Sequence, residues 1–217
     1  MRKNNPILIL IGIGCLLLFG VYFYNNKRRV PIRHLPYYGK KSVAQGDTAY
    51  HKVPEFSFLN QNGNSITKND LRGKIYVADY FFTTCQSICP IMKKQMNRVY
   101  KIFLNDPDVL LVSHTVDPVN DSVATLKKFS RDMGIDDRKW FFLTGEKRKL
   151  YDLARSGYFL DASAGNGGED DFIHTQNFVL VDKSFHIRGY YNGTDSADVN
   201  RLIKEIEILK QEYAGNE

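Results

Sequence analysis

Cysteine is scarce in this chain. There are three in 217 residues, and only Cys85 and Cys89 lie outside an apolar stretch near the N-terminus. Zinc-finger spacing is absent, as is any basic stripe with interleaved aromatics, and these absences remove nucleic acid from the expected partners. Charge is missing altogether from residues 6–24, and no small-residue cleavage site follows them, which argues against a removed signal peptide. No arginine stands near the two cysteines before Arg98, so the group that would stabilise the leaving oxygen in a thiol peroxidase is not supplied. The formal net charge is +6, with a pI near 9.1. Part of that excess sits in residues 27–41, where it reads as a solvated stretch beside anionic headgroups.

At about 1.5 Å per residue, the uncharged segment 6–24 is long enough to cross roughly 30 Å of hydrocarbon, which predicts an N-terminal transmembrane anchor. Arg2 and Lys3 face Lys27, Arg28 and Arg29 across it, so charge alone does not set its orientation. Cys15, inside this segment, reads as apolar filler. The map that follows is an anchor with flanking charges at 1–29, a juxtamembrane tether at 30–50 and a single domain at 51–217.

Within the domain, Val53 to Leu59 and the turn-forming run Asn60-Gln61-Asn62-Gly63-Asn64 predict a small hairpin. Ile75 to Phe82 is a buried strand pattern broken by Asp79. Helical spacing follows at Ile91, Met92, Met96, Val99, Tyr100 and Phe103. Next come a strand at 109–113, a helix at 122–133 closed by Gly134, and a short strand at 139–143. A helix starts at 150, an acidic glycine-bearing loop covers 165–171, strands lie at 178–181 and 187–190, and a final helix runs over 196–213. This alternation predicts an α/β domain with helices on both faces of a central sheet.

Cys85 and Cys89 sit where the first long strand ends. Pro90 suits a first helical turn and Ser87 an N-cap, placing Cys89 in the helix and Cys85 just before it. Near the positive end of a helix dipole both thiols favour the thiolate form, the state of metal ligands and redox nucleophiles. His174 precedes the strand at 176–181 and is a candidate third donor, read equally well as a satisfied loop histidine. Two thiolates and one imidazole suit Cu(I), Cu(II) with an added ligand, or zinc with a water. The cysteine pair by itself reads as a dithiol redox site with one residue more than the usual spacing. Met92 and Met96 read as core.

The ordered set Phe81-Phe82-Thr83-Thr84-Cys85-Gln86-Ser87-Ile88-Cys89-Pro90, Ser113-His114-Thr115-Val116-Asp117-Pro118 with Asp121, Trp140 to Gly145, and His174-Thr175 before Phe178 to Asp182 strongly resembles the Sco (SenC/PrrC) family. The resemblance covers roughly residues 53–209. It implies a thioredoxin-like three-layer α/β/α domain behind the N-terminal transmembrane helix, outside the cytoplasmic membrane. It implies copper bound by Cys85, Cys89 and His174, with acidic residues Asp117 and Asp121 near the site. The activity implied is delivery of copper, Cu(I) or also Cu(II), to the CuA centre of cytochrome c oxidase subunit II. A copper donor protein and a thiol reductant are the further partners, and the alternative is a thiol-disulfide oxidoreductase using Cys85 and Cys89. His114 departs from the family's usual pattern.

Overall fold

A computed structural model describes residues 6–26, 33–44, 47–160, 168 and 171–215. The chain falls into two compact units, Met1–Arg33 and His34–Glu217. In the first, the apolar segment is helical (α1, Pro6–Asn26), yet among the described residues no helix is long and apolar enough to cross a membrane. The expected transmembrane helix is corrected on this ground. The single-pass, extracytoplasmic membrane placement that rested on it is corrected with it.

In the second unit, β1 (Lys41–Ala44) and β2 (Asp47–Tyr50) form an antiparallel ribbon within the stretch read from sequence as a tether. Just before it, Leu35 is buried and Tyr38 N–H donates to the Ile187 carbonyl at 2.9 Å. The small hairpin is β3 (Ser57–Leu59) and β4 (Ser65–Thr67). Asn60 Oδ1 closes its turn by accepting from the Asn62 and Asn64 amides at 2.9 and 3.0 Å.

Five strands make the central sheet: β5 (Ile75–Phe81), β6 (Val109–Thr115), β7 (Trp140–Leu143), β8 (Asn177–Val181) and β9 (Ile187–Asn192), in the order β7-β6-β5-β8-β9. The β5–β6 and β6–β7 pairs are parallel, while β8 is antiparallel to both β5 and β9. Every residue of β5 is buried, as its near-continuous apolar run requires of a central strand. Its side chains alternate between two cores. Tyr76, Ala78 and Tyr80 pack with Leu150, Tyr151 and Tyr158, from α4 (Lys147–Asp152) and the chain just beyond it. Ile75, Val77 and Phe81 pack with α2 (Cys89–Phe103), α3 (Val123–Asp132) and α5 (Ser196–Ala214). Helices therefore cover both faces. A π-helical turn, Leu153–Gly157, prolongs α4. Apart from Gly168 and Asp171, the glycine-bearing loop expected at 165–171 lies outside the described residues.

One ion network is fully enclosed. Arg188 donates to Asp182, Glu212 and the carbonyls of Leu35 and Pro36, tying β9 to α5 and to the chain before β1. α3 starts with Ser122 Oγ accepting from the Thr125 amide at 3.2 Å. Replacing Ser122 with alanine leaves that N–H without its cap and is expected to lower stability by about 1 kcal/mol in urea denaturation.

Candidate metal centre

The chemistry collects where β5 ends. In a mixed α/β sheet, the loops after the carboxyl ends of parallel strands are free to hold functional groups, and the link from β5 to α2 carries both cysteines here. Cys89 is the first residue of α2 and Pro90 the second, as the sequence predicts. The N-cap differs. It is Ile88 in a helical conformation without a side-chain cap, while the hydroxyl of Ser87 lies 3.6 Å from Cys85 Sγ.

Both thiols are free and partly exposed, and each influences the proton affinity of the other. Their proton affinities are driven apart. Burial pushes Cys85 up, but hydrogen bonds from the Cys89 thiol, the Cys89 and Ser87 amides and the Ser87 hydroxyl outweigh it and bring Cys85 down to about 7. Cys89 is pushed up to about 12, first by burial and then by serving as donor to Cys85, with the charge of Asp79 adding to the effect. The pair is therefore set up as one thiolate and one thiol sharing a proton.

Beneath the sulfurs is a cavity of about 40 Å³ whose walls include Cys85, Cys89, Asp79, Ser113 and Trp140. Asp79 is buried there. It accepts from Ser113 Oγ, which in turn accepts from Trp140 Nε1 at 2.8 Å. Burial raises its carboxyl to about 7, with the Ser113 bond opposing the shift. Sequence reasoning saw Asp79 only as a break in an apolar strand. That break was the available signal, because a carboxylate inside a central strand must meet either a partner or a cavity. Met92 also lines the cavity, and Met96 is core.

Asp121 is buried and holds the loop ahead of Cys85. It accepts from the Thr83 amide at 3.3 and 3.2 Å, from the Thr83 hydroxyl and from the Thr115 hydroxyl at the end of β6. It is thus a loop anchor, and the helix cap beside it is Ser122. Asp117 is half-buried and accepts from the Asn120 amide group at 2.7 Å.

His174 reaches this end of the sheet through topology. β8 runs antiparallel to β5, so the chain entering β8 arrives beside the carboxyl end of β5. His174 is exposed with its ring 4.8 Å from that of Phe172, and Phe172 meets Phe82 edge-on at 5.3 Å. Among the described residues, however, no group of three His, Cys, Asp or Glu side chains is gathered closely enough to hold a metal ion. His114, the residue foreign to the expected pattern, lies on the other face. It is buried among Phe56, Phe58, Tyr80 and Tyr158, and desolvation lowers it to about 3.

The sequence profile of the SCO1/SenC family matches residues 44–210. The chain belongs to the SCO1/SenC family. The SCO1 protein homolog of Bacillus subtilis is 31% identical over 162 residues, covering 74% of this chain and 84% of that protein. The solved structure of BsSco, described as a member of the Sco family of cytochrome c oxidase assembly proteins with a disulfide switch, is 30% identical with a TM-score of 0.62, covering 73% of this chain and 93% of its own. The SCO1/SenC family lipoprotein of Bacillus anthracis is 29% identical with a TM-score of 0.64, covering 74% and 95%. The fold is the thioredoxin-like mixed α/β fold. The reading of this SCO1/SenC chain as a membrane-anchored chaperone that carries copper to the CuA centre is corrected. Neither a helix able to cross a membrane nor a gathered metal-binding cluster is present among the described residues.

Proposed function

We propose that this chain serves cytochrome c oxidase assembly through a copper site that exists only while Cys85 and Cys89 are reduced. The observation that carries the reading is the pair itself: two free thiols at a helix start that line one cavity, Cys89 opening the helix and Cys85 in the loop just before it. Two soft thiolates in reach of one another suit Cu(I) far better than a hard cation, and the donor set fits that ion. Copper is the ion this site would hold, and its uptake requires Cys89 to give up its proton. His174 is the third donor we assign, since the Phe172–Phe82 contact sets its arm beside the cysteine loop. The protein partner we assign is subunit II of the oxidase, with a copper donor protein and a thiol reductant completing the cycle. Oxidation to a Cys85–Cys89 disulfide would remove both sulfur donors at once, and BsSco is described as having a disulfide switch.

The test is anaerobic titration of the reduced full chain with Cu(I) against a chromophoric competitor, followed by X-ray absorption at the copper edge. The expected result is one equivalent held through two sulfurs and one imidazole nitrogen, lost in Cys85→Ala and in Cys89→Ala. In His174→Ala the nitrogen signal should disappear and retention weaken. No uptake by reduced protein whose thiols still exchange with disulfides would overturn the copper reading. Unchanged spectra in His174→Ala would overturn the third-donor assignment alone.

A further inference from the structure

Lys147, Tyr151 and Arg155 recur at every fourth residue along α4 and its π-turn, so they form one stripe on that element. All three reach the chain just before His174. Lys147 Nζ donates to the Gly168 carbonyl at 2.6 Å. Tyr151 Oη donates to the Val116 carbonyl at 2.7 Å, and the side chain shares a core cluster with Ile173. Arg155 grips Asp171 with two parallel bonds, Nη1 to Oδ2 at 2.8 Å and Nη2 to Oδ1 at 2.6 Å, and both side chains are largely buried. The two cations flank the Tyr151 ring at 5.2 and 5.5 Å, which keeps the stripe aligned.

The other end of this network is the cysteine loop. Val116 opens the segment containing Asp121, and Asp121 holds Thr83 two residues before Cys85. One helical stripe therefore connects both halves of the site. We infer that Lys147, Tyr151 and Arg155 are positioning residues for His174, fixing its arm against the cysteine loop and so setting how tightly copper is retained. Arg155 is the main one, because a bidentate guanidinium–carboxylate pair fixes direction as well as distance. Ile173, buried between Asp171 and His174, makes the arm short, so the clamp at Asp171 leaves the imidazole little range.

This inference rests on the proposed copper site, and its test separates the two. In the reduced, metal-free full chain, the His174 ring protons should carry a shift from the Phe172 ring in NMR spectra. Arg155→Met should abolish that shift and Arg155→Lys should restore part of it. With Cu(I), Arg155→Met is expected to lose about ten- to hundredfold in affinity, as positioning groups around metal ligands do. In a His174→Ala background the same change should cost nothing further. Should Arg155→Met fail to fold, Lys147→Met, which removes the bond to Gly168 and the charge beside the Tyr151 ring, supplies the same readouts. Unchanged His174 signals, or an equal loss of affinity in the His174→Ala background, would overturn the inference. A wild-type chain that takes up no copper but shows the Arg155-dependent shift would defeat the functional reading and leave the positioning role standing.

Discussion

Treated at pH 7 with a disulfide reagent, the reduced chain is expected to react at Cys85 about 10² to 10³ times faster than at Cys89. With affinities near 7 and 12, about half of Cys85 is thiolate at that pH, against about one part in 10⁵ of Cys89. The more basic sulfur is the better nucleophile by roughly 0.4 to 0.5 log units per pKa unit, which returns about two of those decades. What remains still favours Cys85 strongly. The rate at Cys85 should climb with pH and reach half its maximum near 7, and mass spectrometry of the peptides bearing each cysteine would follow both sites in one time course. Equal labelling of the two thiols at early times would remove the proton-sharing pair on which the site was built.

The order of reaction has a consequence for either use of the pair. Once Cys85 is engaged, by a partner's disulfide or by a soft cation, it no longer accepts from Cys89, and one of the causes raising Cys89 is gone. The second thiol is released for its own step only after the first has acted. A partly exposed Cys85 before the helix and a more enclosed Cys89 within it give that sequence a direction.

The sheet was legible because its strands are buried on both faces and read as apolar runs. β5, β6 and β8 appear within one or two residues of the limits their patterns suggest. Cys89 in the first turn of α2 was legible for a local reason, Pro90. The N-cap was not, because the Ser87 hydroxyl turns toward Cys85 and a bare backbone cap at Ile88 leaves no trace in composition. His174 was named as a candidate donor through the resemblance and through strand order, and its exposure could not be read from either. Asp121 was read only as an acidic residue near the site, whereas three hydrogen-bond donors from two separate strands' ends converge on it. Such convergence belongs to tertiary structure. The N-terminal segment shows the opposite case, a strong local signal of helix that was met as helix but not as a membrane span.

Asp79→Asn is expected to make the protein more stable at pH 8 and to leave it unchanged at pH 4. Unfolded, this carboxyl ionises near 3.8; in the native cavity burial holds it to about 7. Between those values the native state keeps a proton that the unfolded state has released. The contribution of this group to stability is therefore complete below about pH 4, falls as pH rises and is gone above about 7. A shift of roughly three units corresponds to at most about 4 kcal/mol, and relaxation of the cavity or entry of a water should reduce the measured value to about 2 to 4. Asparagine can still accept from Ser113 Oγ, so the hydrogen bond that reaches back to Trp140 survives the change. Urea unfolding of both proteins at intervals from pH 4 to pH 8 reads the effect directly: the wild-type curve should fall across the window while the variant's follows only the remaining titrations. Parallel curves would mean that Asp79 is charged in the native state. In the variant Cys89 also loses the nearby negative charge that helps keep its proton on, so its labelling should speed up at the same pH where the fold gains stability. A group that destabilises the domain most at neutral pH while holding the second thiol protonated links the stability of this fold to the chemistry of its site.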